Sequence, residues 1–130
     1  MTTINRVKEV EDFLCDFLTA LFSDSVACKK EFDGSLSESR ACSITDIAPS
    51  VDDQGVLRRY HAVYKEITKT RLASIEHINR IQAAFPIFNR TTTNGLAISI
   101  ELNYITAPIK IMVGTTKSYR LSANLRVTTT

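Results

Sequence analysis

The sequence predicts an α+β fold: a mainly antiparallel sheet of about five strands packed against two helices, one N-terminal and one mid-chain. Three observations predict it. Apolar residues recur at spacings of three and four in two separate stretches, as on helices. The last third alternates apolar and polar residues, as half-buried strands do. Helical and extended segments do not follow each other in strict turn, which argues against a parallel sheet built from β-α-β units. The 130 residues make one ordinary domain, 1–130, with no internal repeat. Hydrophobic residues at 44% and charged residues at 23% exclude wholesale disorder, collagen and coiled-coil composition.

The first element is a helix. Ile4, Val7, Val10, Leu14, Phe17, Leu18 and Leu21 form one stripe, and Arg6, Lys8, Glu9, Glu11, Asp12 and Asp16 fall largely opposite. Lys8 and Asp12 are spaced as an i,i+4 pair. Residues 23–43 are rich in Ser and charge and read as a polar, mobile loop, with a short strand, Ala41–Ala48, at its far end before Pro49. The turn Asp52-Asp53-Gln54-Gly55 follows. Leu57–Arg71 is rich in Tyr, Val, Ile and Thr and reads as a long strand. It is apolar on both parities, so it is central or carries a bulge. A second helix follows, with Ser74 as N-cap, Ile75, Ile78, Ile81 and Phe85 on one face, and Pro86 as its stop. Leu96, Ile98, Ile100, Leu102 and Tyr104 share one parity of the next strand. Ile109, Ile111 and Val113 share one parity of another. A turn at Gly114-Thr115-Thr116-Lys117 leads to the last strand, where Tyr119, Leu121, Ala123, Leu125 and Val127 face inward. The expected core is Leu14, Phe17, Leu21, Ile78, Ile81, Ile98, Ile100, Leu121 and Leu125.

No catalytic or cofactor motif is present. The four glycines are scattered turn formers and cradle no phosphate, so no cofactor is expected. Cys15, Cys28 and Cys42 lack metal or disulfide spacing and read as reduced, buried thiols of a cytoplasmic protein. His61 lies mid-strand and His77 on the polar side of the second helix, and both read as structural or solvated. Asp46, Asp52 and Asp53 lack the alternation of a calcium loop, and no metal is expected. No apolar run approaches the roughly 18 residues of a membrane span, so no membrane partner is expected.

Charge is segregated along the chain. Residues 1–55 hold 5 basic and 11 acidic side chains, net −6, while residues 56–130 hold 11 basic and 3 acidic, net +8. Arg58, Arg59, Lys65, Lys69 and Arg71 crowd one predicted strand, with Arg120 and Arg126 on the outward parity of the last. These seven are the candidate site, a subunit interface or the wall of a lumen. Tyr60 and Tyr64 interleave with the first five, and aromatics among cations on a sheet also suit single-stranded nucleic acid.

The order of elements carries a resemblance. An N-terminal amphipathic helix leads to a polar loop and the strand end Ala48-Pro49-Ser50. A strand ending in Arg71 runs into LASIEHINRIQAAF, and a late hairpin closes with SYRLSANLRVTT, of which Leu121–Leu125 is the closing strand. This resembles the tail terminator, or tail-to-head joining, proteins of long-tailed bacteriophages, also called tail completion or minor capsid proteins. The resemblance covers nearly the whole chain. It implies a non-enzymatic structural protein of the virion, assembled in the host cytoplasm into a homo-hexameric ring at the neck end of the tail. Such a ring stops tail-tube growth and joins the tail to the head. The implied partners are further copies of the chain, the tail tube protein, a head connector or head-completion protein, and DNA passing non-specifically through the lumen. The family's Gly-rich turn is reduced here to Gly114-Thr115-Thr116, which leaves the head side of the neck open as the chain's place.

Overall fold

The computed structural model describes residues 5–48 and 57–130; Ile4, Pro49, Ser50 and the Asp52–Gly55 turn lie outside them. In chain order the elements are α1 (Arg6–Leu21), β1 (Ser39–Ala48), β2 (Arg58–Thr68), α2 (Arg71–Ala84), β3 (Ile87–Thr91), β4 (Ala97–Ile105), β5 (Ile109–Val113) and β6 (Thr116–Thr129). The class is α+β, as the sequence predicts, with six strands in place of about five.

The sheet order is β1-β2-β6-β4-β3, and every pairing is antiparallel. β5 extends the sheet on the β4 side by pairing with the first part of β6. β2 is central, paired by β1 on one side and β6 on the other. Both helices pack on one face: α1 against β1, and α2 against β2 and β6. That face takes Tyr60, Ala62 and Tyr64 from β2, Ile98 and Ile100 from β4, and Leu121, Ala123, Leu125 and Val127 from β6. Val10, Leu14 and Leu18 of α1 and Ile81 of α2 close the core. Of the nine expected core residues, Leu14, Ile81, Ile98, Ile100, Leu121 and Leu125 are fully buried, while Phe17, Leu21 and Ile78 pack at its margin.

Local chemistry sets the boundaries. Asn5 caps α1, its side chain accepting from Lys8 N at 3.1 Å. Lys8 and Asp12 pair at 2.7 Å as their spacing predicts. The strand expected over Leu57–Arg71 stops at Thr68, and Arg71 is instead the first residue of α2. The N-cap is Thr70, whose hydroxyl accepts from Ala73 N at 3.1 Å, and not Ser74, which lies buried one turn further in. β1 begins at Ser39, so residues 39–43 belong to the strand and not to the polar loop. β3 has no alternation to betray it, because only Ile87 is buried; Asn89, at a φ of 53°, breaks its register. In β4 an extra residue sits between the Leu102–Leu125 and Tyr104–Asn124 pairs. Parity reverses there, so Tyr104 points out at 59% exposure and Ile105 packs on the core, opposite to the sequence expectation for Tyr104. In β6 the expected alternation holds from Leu121 onward, but Ser118 is buried. The β5–β6 loop is only Gly114 and Thr115, and Gly114 takes the positive φ of 62° that such a tight hairpin demands.

Candidate functional site

The helices cover one face of the sheet and leave the other open. The odd-numbered residues of β2 and the even-numbered residues of β6 point to that open face. Register brings Arg59 beside Thr128, His61 beside Arg126, Lys65 beside Ser122 and Ile67 beside Arg120. Arg59, Lys65, Arg120 and Arg126 of the seven candidate residues therefore share one surface, with His61 among them. Arg126 pairs with Glu101 of β4 at 2.6 Å, and the Arg120 guanidinium lies 5.7 Å from the Phe32 ring centroid. Arg58 points the other way, toward the helix layer, at the end of β2. Lys69 follows β2 in a turn and pairs with Glu38 at 3.3 Å. Arg71 is exposed at the start of α2. The first five are thus not one strand's worth of charge, because the strand ends at Thr68, while Arg120 and Arg126 lie on the outward parity of the last strand as expected.

Tyr60 and Tyr64 do not join the basic surface. They occupy the opposite parity and are buried under the helices. Base stacking on this sheet loses the two aromatics that suggested it.

A second site lies inside the protein, and sequence reasoning missed it. Arg40 is buried, and its guanidinium clasps Asp24 through both terminal nitrogens at 2.8 Å. It also donates to the Val26 carbonyl and to the Tyr64 hydroxyl, each at 2.7 Å, and stacks 4.0 Å from the Phe22 ring centroid. Glu66 of β2, fully buried, lies 3.7 Å from the same guanidinium and 2.6 Å from His77 Nδ1. His77 Nε2 lies 3.6 Å from Asp24. The cluster ties the loop after α1, β1, β2 and α2 together. The Arg40 hydrogen bond holds the Asp24 carboxyl below its ordinary value. Burial, with Glu66 nearby, pushes the Tyr64 phenol well up. His77 is therefore a half-buried structural residue of this network, one of the two roles expected for it, and Arg40 belongs to β1 and not to the loop.

One signal for this cluster was present. Glu66 shares the parity of Tyr60, Ala62 and Tyr64, so a carboxylate on the core side of a central strand required a buried cation. Beside the cluster opens a cleft of about 370 Å³, bordered by Ser23, Glu38, Lys69, Thr70, Glu76 and Arg80. Among the described residues, the only hydrogen-bond partner of the His77 ring is Glu66, so no nucleophile is set against it. No group of His, Cys, Asp and Glu among the described residues is arranged to hold a metal ion, and no helix there is long and apolar enough to cross a membrane.

No family model matches the sequence, and no curated protein does. A solved structure does match: a chain of the "virion of native gene transfer agent (GTA) particle" superposes with a TM-score of 0.58 at 14% identity. The match covers 99% of this chain and 98% of that one, so the two share a fold from end to end.

Proposed function

We propose that this chain is a structural protein of a phage-like virion, a ring-forming subunit at the neck that stops tail-tube growth and joins the tail to the head. The observation that carries the reading is the end-to-end match to a chain of a gene transfer agent virion, in which neither chain has a large unmatched part. It agrees with the family that the order of elements resembles. The partners on this reading are other copies of the chain, in a hexamer, the tail tube protein and a head connector or head-completion protein. DNA passes through the lumen without being read.

Charge layout gives the ring a physical basis. The open sheet face carries Arg59, Lys65, Arg120 and Arg126, whereas the helices are of mixed charge and their Asp12 is already paired to Lys8 and Lys30. A head-to-tail ring needs two different surfaces that attract each other, and the basic sheet face is the candidate for one of them. Some of the segregated charge is consumed within the subunit, where Lys69 meets Glu38. The loop over residues 23–38 is the segment set to order further against a neighbour. A nucleic-acid-binding module is the weaker reading, because Tyr60 and Tyr64 are buried.

The test is to assemble particles without this chain and to score tails by electron microscopy. Overlong tails and unjoined heads are the expected result. Tails of normal length joined to heads would overturn the reading.

A further inference from the structure

We propose that the outer edge of β5 is a docking site for an extended segment of another protein, apolar at alternate positions and acidic at those between, which adds to the sheet as a further strand. The sheet ends at β1, at β3 and at β5, and the first two ends are blunted. Along β1, Cys42 N donates to the Lys29 carbonyl at 2.8 Å, Ile44 N to a Glu11 carboxylate oxygen at 3.0 Å and Ile47 N to the Asp46 carboxylate at 2.9 Å. β3 loses its register between Ile87 and Arg90, where Asn89 takes a positive φ, so its edge is too irregular for a partner strand to follow. β5 has neither device. It pairs with β6 on one side and, among the described residues, with no strand on the other.

The bare edge has a defined pattern. Val113 and Thr116 flank the two-residue loop of the hairpin, and such a pair exchanges both of its hydrogen bonds. Alternation then turns the amide and carbonyl of Lys110 and of Met112 away from β6, as a template for one more strand. Side chains alternate too. Ile109, Ile111 and Val113 point to one face, and Lys110 and Met112 to the other, where Met112 lies opposite Lys117 of β6. Among the described residues, the exposed large apolar side chains concentrate on this side of β6, as Phe88, Tyr104, Ile109 and Met112. A cleft of about 490 Å³, lined by Phe85, Pro86, Phe88 and Leu102, opens beyond the last β3–β4 pair and offers an apolar side chain a place.

Charge selects the occupant. No acidic residue follows Glu101 in the chain, and Lys110 and Lys117 stand exposed on one face of the hairpin. A second copy of β5 laid against the first would bring lysines to lysines, which opposes pairing of this chain with itself there. An acidic strand meets the same lysines with opposite charge, and its alternate apolar residues cover Ile109, Ile111 and Val113. The partner is extended because a helix has no free ladder groups to give the edge. None of this rests on the neck reading.

The test titrates the full chain into a fluorescently labelled, end-capped peptide that alternates Val and Glu, followed by anisotropy. That peptide should bind about tenfold more tightly than one with Lys in place of Glu, because opposite-charge pairs replace like-charge ones. Met112→Pro removes an outward amide without touching the ladder to β6, a change that a strand edge tolerates, and should abolish binding. Lys110→Glu combined with Lys117→Glu should reverse the preference between the two peptides. Hydrogen exchange at Lys110 and Met112 should slow when the Val/Glu peptide is added. The proposal is overturned if the native chain binds both peptides alike or neither, or if Met112→Pro binds as the wild type does. It is equally overturned if the Lys110 and Met112 amides are already protected in the chain alone, since a copy of the chain would then hold the edge.

Discussion

Arg40 has four polar partners, Asp24, the Val26 carbonyl, Tyr64 and Glu66, and it is buried with them. Removing it leaves buried Glu66 with only His77 beside it and frees Asp24 from its bidentate partner, so Arg40→Ala should cost about 3–5 kcal/mol, as loss of one partner of a buried ion pair does. Urea unfolding of the two proteins measures it. Asp24 supplies a second test, through pH. Its carboxyl is held below the ordinary value of 3.8 by the hydrogen bond from Arg40. A carboxyl that binds its proton less tightly folded than unfolded adds stability in full above the ordinary value, and that stability is lost as pH falls through the lowered one. Asp24→Asn should therefore be less stable than the wild type near neutrality, and the difference should shrink as pH falls below 3.8. Urea midpoints along an acid series check it; a gap that widens toward low pH would contradict the pairing.

At the scale of elements, periodicity located most of what the core needs, and chemistry hidden from periodicity set the rest. The stripe on α1 and the alternation of β6 were legible because their apolar residues match a helix or a pleat. Ile100 of β4 is fully buried among them, and Ile100→Ala should cost about 2–5 kcal/mol by the cavity it leaves, read from chemical unfolding. β3 was not legible, since four of its five residues are exposed, nor was the β4 parity reversal, which one inserted residue creates. The polar loop read from Ser and charge loses residues 39–43 to β1, because Arg40 is charged in sequence yet neutralised in place. The basic surface was half legible. Four of its seven members share the open face, while Arg58 falls on the other parity of β2, and Lys69 and Arg71 lie beyond it where β2 gives way to α2. What remains of the loop is anchored unevenly. The amides of Lys29 and Cys42 are bonded across the edge of β1, whereas residues 30–37 are held by the Lys30 side chain on Asp12, by short-range turns at Asp33 and by Phe32 beside Arg120. Hydrogen exchange of the isolated chain should show residues 30–37 exchanging early and Lys29 and Cys42 late.

At the scale of the whole molecule, the basic open face of the sheet predicts an assembly sensitive to salt. Lys65 lies half-exposed on the open face, so Lys65→Glu should leave the subunit folded, within about 0.5 kcal/mol of the wild type. It should weaken assembly, and weaken it more at low ionic strength, where screening is least. Sedimentation at two salt concentrations checks it; equal association of both proteins at low salt would remove Lys65 from the interface. The position of β6 has a consequence for how the chain comes to be folded. β6 lies between β2 and β4 in the sheet yet follows both in the chain. Until it is in place, the two antiparallel pairs β1–β2 and β3–β4 have no sheet in common. A ribosome making this protein therefore holds two separate hairpins, each with an open edge, until the strand that unites them has emerged. Sheet closure must wait on that strand and pair it with β2 across a long stretch of sequence, which makes folding slower than in a fold built from local contacts. For that interval the nascent chain presents strand edges to its neighbours on the same message, a hazard that the finished sheet conceals.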